Sequence, residues 1–558
     1  MLKTGKRSGK EMFKYMIGYI KAKLKILSFF AIVAFLTTGL SIVLPYYNGR
    51  FIDSISYKPN KATVVNYAIF IAILLISSIF INYLYGILNT KIKLDLSYNM
   101  YSDIISHIQK IPYIVYKKYN PTYLNQRINT DIARLWSFFL VYFINIFIQA
   151  LSLIILIILI FELNVYIFVV TLFLIPIYVS IYVASRKPIY MSGLESKEKM
   201  AEYFKTGNEQ LDQVAEIKSN SLYDASAAWL SNSYEKYKNS LMRFTKVSYF
   251  FKSLDSSISM FLQVSIILIG GYDIINGNLT FGEFVILNSY YNMLFKTIKF
   301  FFTVGQEYQD TKNSYDRIKE IVTIPEENIG NTIIKDISTI ELKNISYKYE
   351  KKEVIREFSY KFEKGNIYLI EGKNGSGKTT LLLLLIGMLQ EQGKGDIYFN
   401  NVSISDVNMK SLRSSAISTY LQNSKMFDST VLEVISFYTG LNENEIKTKI
   451  NQSVLKNIYM SKELDVIKCF EKSIRKLSGG EQQKIRLLCS LLLNCSVLIL
   501  DEPTSQIDKQ SSMIIKDYLE SEKKNRIIII VTHDIKLAND FQDAKRLNLK
   551  LLRGEETC

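Results

Sequence analysis

Six stretches of this chain are too long and too apolar to be read as ordinary surface helices or strands. They run approximately over 26–47, 64–88, 138–161, 165–185, 250–272 and 281–303. A helix needs about 20 apolar residues to cross a hydrocarbon layer roughly 30 Å thick, so the pattern predicts six membrane-spanning helices. Only Glu162, Leu163 and Asn164 separate the third and fourth runs, which forces a tight hairpin, and Asn276-Gly277-Asn278 supplies turn residues between the fifth and sixth.

The placement of Lys and Arg orients these spans. Basic residues are retained preferentially on the cytoplasmic face. Eight occur in the N-terminal 25 residues, seven in 91–135 and ten in 186–246, whereas the opposite-side loops hold only Arg50, Lys58 and Lys61. Both termini are therefore expected in the cytoplasm of a multi-pass cell-membrane protein. The net charge of +16 resides largely in these flanking segments, a distribution that speaks for a bilayer partner and against nucleic acid. The two long cytoplasmic connections read as polar helices reaching well beyond the bilayer. Their turns are expected near Lys117 to Thr122 and near Ser219 to Tyr223, where they are positioned to touch a cytoplasmic domain.

A chain of 558 residues exceeds what one core usually organises. Beyond about residue 305 the composition turns globular, with apolar stretches alternating with charge and glycine. Cys469, Cys489, Cys495 and Cys558 all lie in that part, without the spacing of a zinc site or a disulfide framework, and read as reduced cytosolic thiols.

Within the soluble part, the apolar strand Ile367 to Ile370 runs into Gly372-Lys373-Asn374-Gly375-Ser376-Gly377-Lys378-Thr379-Thr380 and then a helical pattern. This is a phosphate-binding loop in its strand-turn-helix context. The glycines let backbone amides turn inward, the helix N-terminus adds partial positive charge, and Lys378 reaches the β- and γ-phosphates. Thr379 places a hydroxyl on Mg²⁺. Further on, Ser496 to Leu500 reads as a buried parallel strand ending in Asp501-Glu502, which puts two carboxylates beside bound phosphates. Asp501 is suited to hold Mg²⁺ through water, and Glu502 to polarise an attacking water as general base.

Between these elements lies Leu477-Ser478-Gly479-Gly480-Glu481-Gln482-Gln483, and here the chain resembles the ATP-binding cassette superfamily, whose signature reads LSGGQ. Six helices with long cytoplasmic extensions followed by one cassette look like the exporter-type half-transporter over essentially the whole chain. The resemblance implies a helical six-span membrane domain followed by an α/β phosphate-loop ATPase domain with a helical subdomain and a small antiparallel β subdomain. The expected division is a basic amphipathic segment at 1–25, a membrane domain at 26–320, a linker at 321–337 and a nucleotide-binding domain at 338–558.

The resemblance also implies that the cofactors are ATP and Mg²⁺, and that Ser478, Gly479, Gly480 and Glu481 of one subunit close over the γ-phosphate held by another. It makes Tyr349 in SYKYE the aromatic stacked on adenine, with Tyr347 as the alternative. Gln422 in TYLQN becomes the residue sensing Mg²⁺, Asp508 in SQID the subunit-communication residue, and His533 in VTHD the switch histidine that positions the attacking water. His107, the only other histidine, reads as a helix-surface residue. Two features depart from the family pattern. Glu481 stands where Gln is usual, and CFEKSIRKLSGG lacks the Glu-Arg-Gly that normally precedes the signature in exporters. Because every motif is present, two copies of this chain would own two complete sites; pairing with a different subunit is also compatible with the family.

The expected function is ATP-driven export of an amphipathic or hydrophobic substrate (peptide, drug or lipid) by alternating access. Import by the same architecture and ATP-gated regulation are the alternatives, and the complete catalytic set argues against the second. Intramembrane charge is costly and often functional, which singles out Lys252, Asp255, Lys296 and Lys299. Counted from outer helix ends near Gly271 and Phe281, Asp255 and Lys296 both lie roughly 22 to 24 Å down, a depth at which they can pair. The plainer alternative is charge snorkelling at the inner interface.

Overall fold

The computed structural model describes every residue except 1, 58–59, 328, 350–351, 374, 390–392, 422–424, 460–464, 506, 533–540 and 550–558. Ten helices open the chain: α1 (Leu2–Ile20), α2 (Leu24–Ser56), α3 (Lys61–Ile108), α4 (Tyr113–Tyr116), α5 (Pro121–Ser137), α6 (Ile144–Leu163), α7 (Val165–Asp212), α8 (Val214–Ser219), α9 (Tyr223–Ile275) and α10 (Phe281–Val322). The chain divides into two compact units, residues 1–106 with 121–323, and residues 107–120 with 324–558.

In the first unit, α3 and α7 each hold 48 residues and α9 holds 53. At 1.5 Å per residue these helices run for about 70 to 80 Å, more than twice a hydrocarbon layer. Asn164 alone separates α6 from α7, and its side chain accepts from the Ile167 amide (3.0 Å) as the N-cap. Gly277 takes φ +74° in the turn after α9, and a Thr280–Glu283 capping box starts α10. Along their polar lengths α7 and α9 pair through Tyr203 against Tyr234 and Tyr237, with Glu195 facing Arg243.

Five described helical stretches are long and apolar enough to cross a membrane: Gly9–Ser56, Lys61–Ile108, Pro121–Leu163, Val165–Asp212 and Tyr223–Ile275. The sixth expected span lies in α10, which falls short of that composition. Its Ile286, Leu287, Tyr290, Tyr291, Leu294, Phe295 and Ile298 are buried against Leu156, Ile160, Tyr178, Leu262 and Ile266. A helix wrapped by protein can carry tyrosine, asparagine and lysine where a lipid-facing one cannot.

Near its N-terminus α10 meets α2 backbone to backbone. A Cβ on Gly282 would stand 2.1 Å from the Gly49 carbonyl oxygen. Asp53 seals the junction by accepting from the Gly282 amide and the Thr280 hydroxyl, both at 2.8 Å.

The expected pairing of Asp255 with Lys296 is corrected: Asp255 pairs with Lys299 at 2.8 Å. The helix ends explain the shift. Because α9 continues to Ile275, a full turn past Gly271, Asp255 lies about 30 Å from that end, which matches Lys299 at about 27 Å along α10 better than Lys296 at about 22 Å. Lys252 instead lies over the ring of Tyr249.

The second unit holds two sheets. The strands are β1 (Thr339–Tyr349), β2 (Lys352–Glu363), β3 (Ile367–Glu371), β4 (Gly393–Phe399), β5 (Val402–Ser403), β6 (Ile417–Tyr420), β7 (Val497–Asp501), β8 (Ile527–Val531) and β9 (Lys545–Asn548). An antiparallel sheet runs β2-β1-β4-β5 and a parallel one β6-β7-β8-β3-β9. Helix α11 (Lys378–Leu385) follows β3; α12 (Met409–Ser415) precedes β6; α13 (Val431–Thr439), α14 (Glu443–Asn451) and α15 (Lys456–Tyr459) lead to α16 (Gly479–Leu492); α17 (Lys509–Glu522) follows β7.

Strand alternation divides the parallel sheet into two faces. Ile367, Leu369, Leu498, Leu500, Ile528 and Ile530 share a core with α13 to α17, while Tyr368, Ile370, Val497, Ile499, Ile527, Ile529 and Val531 share one with α11, α12 and the antiparallel sheet. The segment expected as a linker contributes Ile334 and Ile337 to the second of these cores.

The turn after α3 differs from expectation. It falls at 109–120 and includes α4, whose Tyr113 and Ile114 pack on the core of the second unit. Tyr113-Ile114 supplies an apolar patch that a polar tip would not carry. The second turn lies where expected, with Ser221 at φ +52° between α8 and α9.

Gly282→Ala should force α2 and α10 apart and lower stability by about 1 to 3 kcal/mol, the usual range for overpacking. Thermal unfolding of the detergent-purified chain should therefore show an earlier transition, and an unchanged midpoint would disprove the close approach.

Candidate nucleotide site

The site is assembled at one edge of the parallel sheet. Strand β8 hydrogen-bonds to β3 on one side and β7 on the other, so all three deliver their C-terminal ends to the same place. From β3 the chain enters the loop 372–377. Gly372, Gly375 and Gly377 have φ of +155°, +78° and +99°, and a Cβ on Gly377 would press on Val354 of β2 at 3.0 Å. That loop therefore needs glycine for both conformation and space.

Lys378 opens α11 and is buried. Its Nζ donates to the carbonyls of Gly372 (2.7 Å) and Lys373 (3.2 Å). Burial pulls its pKa down, and the Glu502 and Asp501 carboxylates partly offset this. An ammonium held on weak carbonyl acceptors is well suited to exchange them for phosphate oxygens. Ser376 Oγ is buried with no hydrogen-bond partner among the described residues, a second polar group turned into the loop. Thr379 is exposed on the first helical turn and Thr380 is buried behind it.

Strand β7 ends at Asp501, which is buried, and Glu502 follows with φ +52°. Its amide donates to the Val531 carbonyl at 2.8 Å, tying the bend to β8. A non-glycine residue in the left-handed region is uncommon, and such residues cluster at functional sites. The structure thus brings the loop, Lys378, Asp501 and Glu502 together. Asn374, Gln422 and His533 lie outside the described residues; in sequence, Gln422 comes after β6 and His533 after β8.

The two tyrosines weighed for adenine stacking separate clearly. Tyr347 is fully buried in the core, whereas Tyr349, at the end of β1, is half-buried with its ring 5.1 Å from that of Tyr347. Only Tyr349 offers ring surface to a ligand.

Residues 355–505 match the family model described as ABC transporter, and residues 27–298 match that of the ABC transporter transmembrane region. A putative ABC transporter ATP-binding protein of Pyrococcus furiosus is 32% identical over 212 residues, covering 37% of this chain and 77% of that protein. The chain belongs to the ABC transporter family. An uncharacterized ABC transporter ATP-binding protein of Bacillus subtilis is 29% identical over 57% of this chain and 56% of its own length. An ATP-dependent lipid A-core flippase of Syntrophus aciditrophicus is 28% identical over 52% of this chain and 48% of its own. The chain thus spans about half the length of these last two relatives. A bacterial Atm1-family ABC exporter solved with ATP bound shares the fold, with a TM-score of 0.77 at 16% identity over 95% of this chain and 93% of that one.

In this ABC transporter chain the signature residues are not part of the assembly just described. Ser478 caps α16, and α16 packs on the sheet face opposite α11. The Glu at position 481 has a structural role as the third residue of a capping box: its Oε2 accepts from the Ser478 amide and hydroxyl, both at 2.7 Å, and its own amide donates to Ser478 Oγ. Those bonds, first the one from the hydroxyl, hold the Glu481 carboxyl below the usual range.

Helix α16 also carries two cations that sequence reasoning passed over. Lys484, nearly fully buried, donates to Asp508 Oδ2 at 2.7 Å. Arg486 lies over the Tyr420 ring and donates to the Leu421 carbonyl, immediately before Gln422. The available signal was their i, i+2 spacing after the signature, which is too common on helices to single them out.

Asp508 caps α17 by accepting from the Ser511 amide. Burial opposes its ionisation, but the Lys484 ammonium and the Ser511 amide outweigh it and hold the carboxyl well below its ordinary value. A depressed carboxyl contributes stability that is complete above its unfolded pKa, about 4, and is lost as pH falls through the folded value. Asp508→Asn should therefore destabilise the chain at neutral pH and flatten the acid side of its stability curve below about pH 4. Parallel curves for variant and parent, followed by thermal unfolding across pH, would contradict this.

Proposed function

We propose that the chain is an ATP-driven exporter that works as a dimer, with two copies of itself as the simplest assembly. The observation that carries this reading is the gathering of Lys378, Asp501 and Glu502 beside the glycine loop at one sheet edge. Loop amides from 372–380 would cradle the phosphates of ATP, Lys378 would exchange its carbonyl partners for phosphate oxygens, and Tyr349 would stack on the base. Thr379 and Asp501, with Gln422, would hold Mg²⁺, which when bound draws charge from the phosphoryl group being transferred. Glu502 would orient a water and accept its proton, with His533 beside the γ-phosphate.

Ser478, Gly479, Gly480 and Glu481 would complete the site on a second copy, because α11 and α16 occupy opposite faces of one sheet and a single chain offers its two motifs to different directions. Lysine and arginine flank the spans in the pattern that keeps both termini and the cassette cytoplasmic. For the cargo we carry over the class named for the flippase relatives, a lipid-like amphiphile.

The test is ATP turnover in liposomes. Glu502→Gln should bind ATP normally and lose about 10²-fold or more of its hydrolysis, whereas Lys378→Ala should weaken ATP binding itself. Amphiphilic lipid should stimulate the parent chain. Wild-type hydrolysis by Glu502→Gln would sink the assignment.

A further inference from the structure

A chain of contacts runs from the phosphate-loop helix to the first cytoplasmic tip, entirely within the second unit. Helix α11 begins at Lys378 and ends at Leu385, and Arg413 of α12 closes its far end. The guanidinium donates from Nε to the Ile386 carbonyl (2.9 Å) and from Nη2 to the Gly387 carbonyl (3.2 Å). The same group grips Glu327 in a two-pronged pair, Nη1 to Oε2 at 2.9 Å and Nη2 to Oε1 at 2.8 Å. All five donors of an arginine are fixed relative to one another, so this fork welds three backbone segments in one geometry.

Glu327 continues the path. Its amide donates to the Lys110 carbonyl at 2.7 Å, and the neighbouring Glu326 meets His107 Nδ1 (3.3 Å) and Lys110 Nζ (3.7 Å). His107, expected on the surface of a helix, lies in α3 and links it to Glu326. Tyr113 and Ile114 then rest on the core that contains Leu381 to Leu385 of α11. The tip is thus held twice, by packing on the core that α11 shares with the two sheets and by hydrogen bonds leading from the C-terminal end of α11. By chain continuity the tip is also the join between α3 and α5.

We infer that Arg413 and Glu327 form a positioning pair that transmits displacement of α11, when its N-terminus takes up phosphate, to the tip 107–120. Arg413 does not touch nucleotide in this account. It acts as a strut: a helix about 12 Å long moves as a rigid body, and its far end is fastened by a partly shielded ion pair instead of a loose loop. The pair's two carboxylate bonds leave the tip attached to α11 in both positions, so motion at one end is expressed at the other.

This rests on the nucleotide reading, and the experiment separates the two. The full chain carrying Glu502→Gln is compared with the same chain also carrying Arg413→Ala, Glu327→Gln, or both. ATP affinity is measured by equilibrium binding, and hydrogen exchange of the peptide spanning 107–120 is followed with and without ATP and Mg²⁺. The parent should bind ATP and change exchange at 107–120 by about fivefold or more, the low end of ordinary coupling. Each variant should keep the parent's ATP affinity and reduce that change by a similar factor, with the double variant no worse than either single, as expected of one shared interaction.

A merely structural pair would raise exchange at the tip equally with and without ATP and preserve the ratio, which overturns the inference. Additive losses in the double variant overturn it as well. Failure of the parent to bind ATP overturns the nucleotide reading and this inference with it. Glu327→Gln retains size and hydrogen-bonding atoms, so it reports even if Arg413→Ala folds poorly.

Discussion

Everything chemical in the second unit depends on the strand Ile527–Val531. It is hydrogen-bonded on both sides, to Ile367–Glu371 and to Val497–Asp501, and it is fully buried on both faces. Five consecutive β-branched residues suit that position and no edge position. Because all three strands are parallel, their C-terminal ends coincide, and the glycine loop and the Asp501-Glu502 bend converge without further design. The same alternation that buries the strand sends α11 to one face and α16 to the other. A single sheet therefore gathers the glycine loop and the two carboxylates at the ends of its strands and carries α11 and the signature helix α16 on opposite faces.

The first unit uses the same local device for a different end. At Gly49 and Gly282 two helices approach until no side chain fits, and the amide exposed at the start of α10 is satisfied by the Asp53 carboxylate. In the phosphate loop, glycines again remove side chains so that backbone amides can meet an oxygen acceptor. The first acceptor is supplied by the chain; in the proposed nucleotide site the second would be a phosphate of ATP. That difference separates a structural clamp from a binding site, and it can be read from whether a carboxylate of the chain already occupies the position.

Much of this was legible in the sequence, where the determining interaction is local. The phosphate loop, the hairpin at Asn164 and the turn at Gly277 are each specified by a few consecutive residues. The competition between Tyr347 and Tyr349 was not, because both lie on the same strand face and only the depth of the core separates them. The partner of Asp255 is not legible locally, because α9 runs one turn beyond Gly271 and that turn decides whether Lys296 or Lys299 lies at its depth. Arg413, Glu327 and Lys484 carry no distinctive local pattern, their side chains being paired with residues 24 to 86 positions away. Glu481 is the converse case: Ser478-x-x-Glu481 is a capping-box pattern in the sequence itself, and the Glu that departs from the family signature is the residue that closes the box.

That capping box bears on how a composite site would close. Ser478 Oγ donates to the Glu481 carboxylate and accepts from the Glu481 amide, so its one proton is already committed within its own helix end. For that hydroxyl to face a phosphate on another chain, one anionic acceptor has to be exchanged for another, and the carboxylate left behind keeps only the Ser478 amide. Exchange between two charge-assisted bonds of similar strength is nearly balanced, so the hydroxyl by itself adds little to closure. The amides of Gly479 and Gly480 are the first free turn of α16 and have no carboxylate of that box upon them. Attraction across the interface would then rest on backbone and helix terminus, and the serine would serve chiefly to hold that terminus in shape.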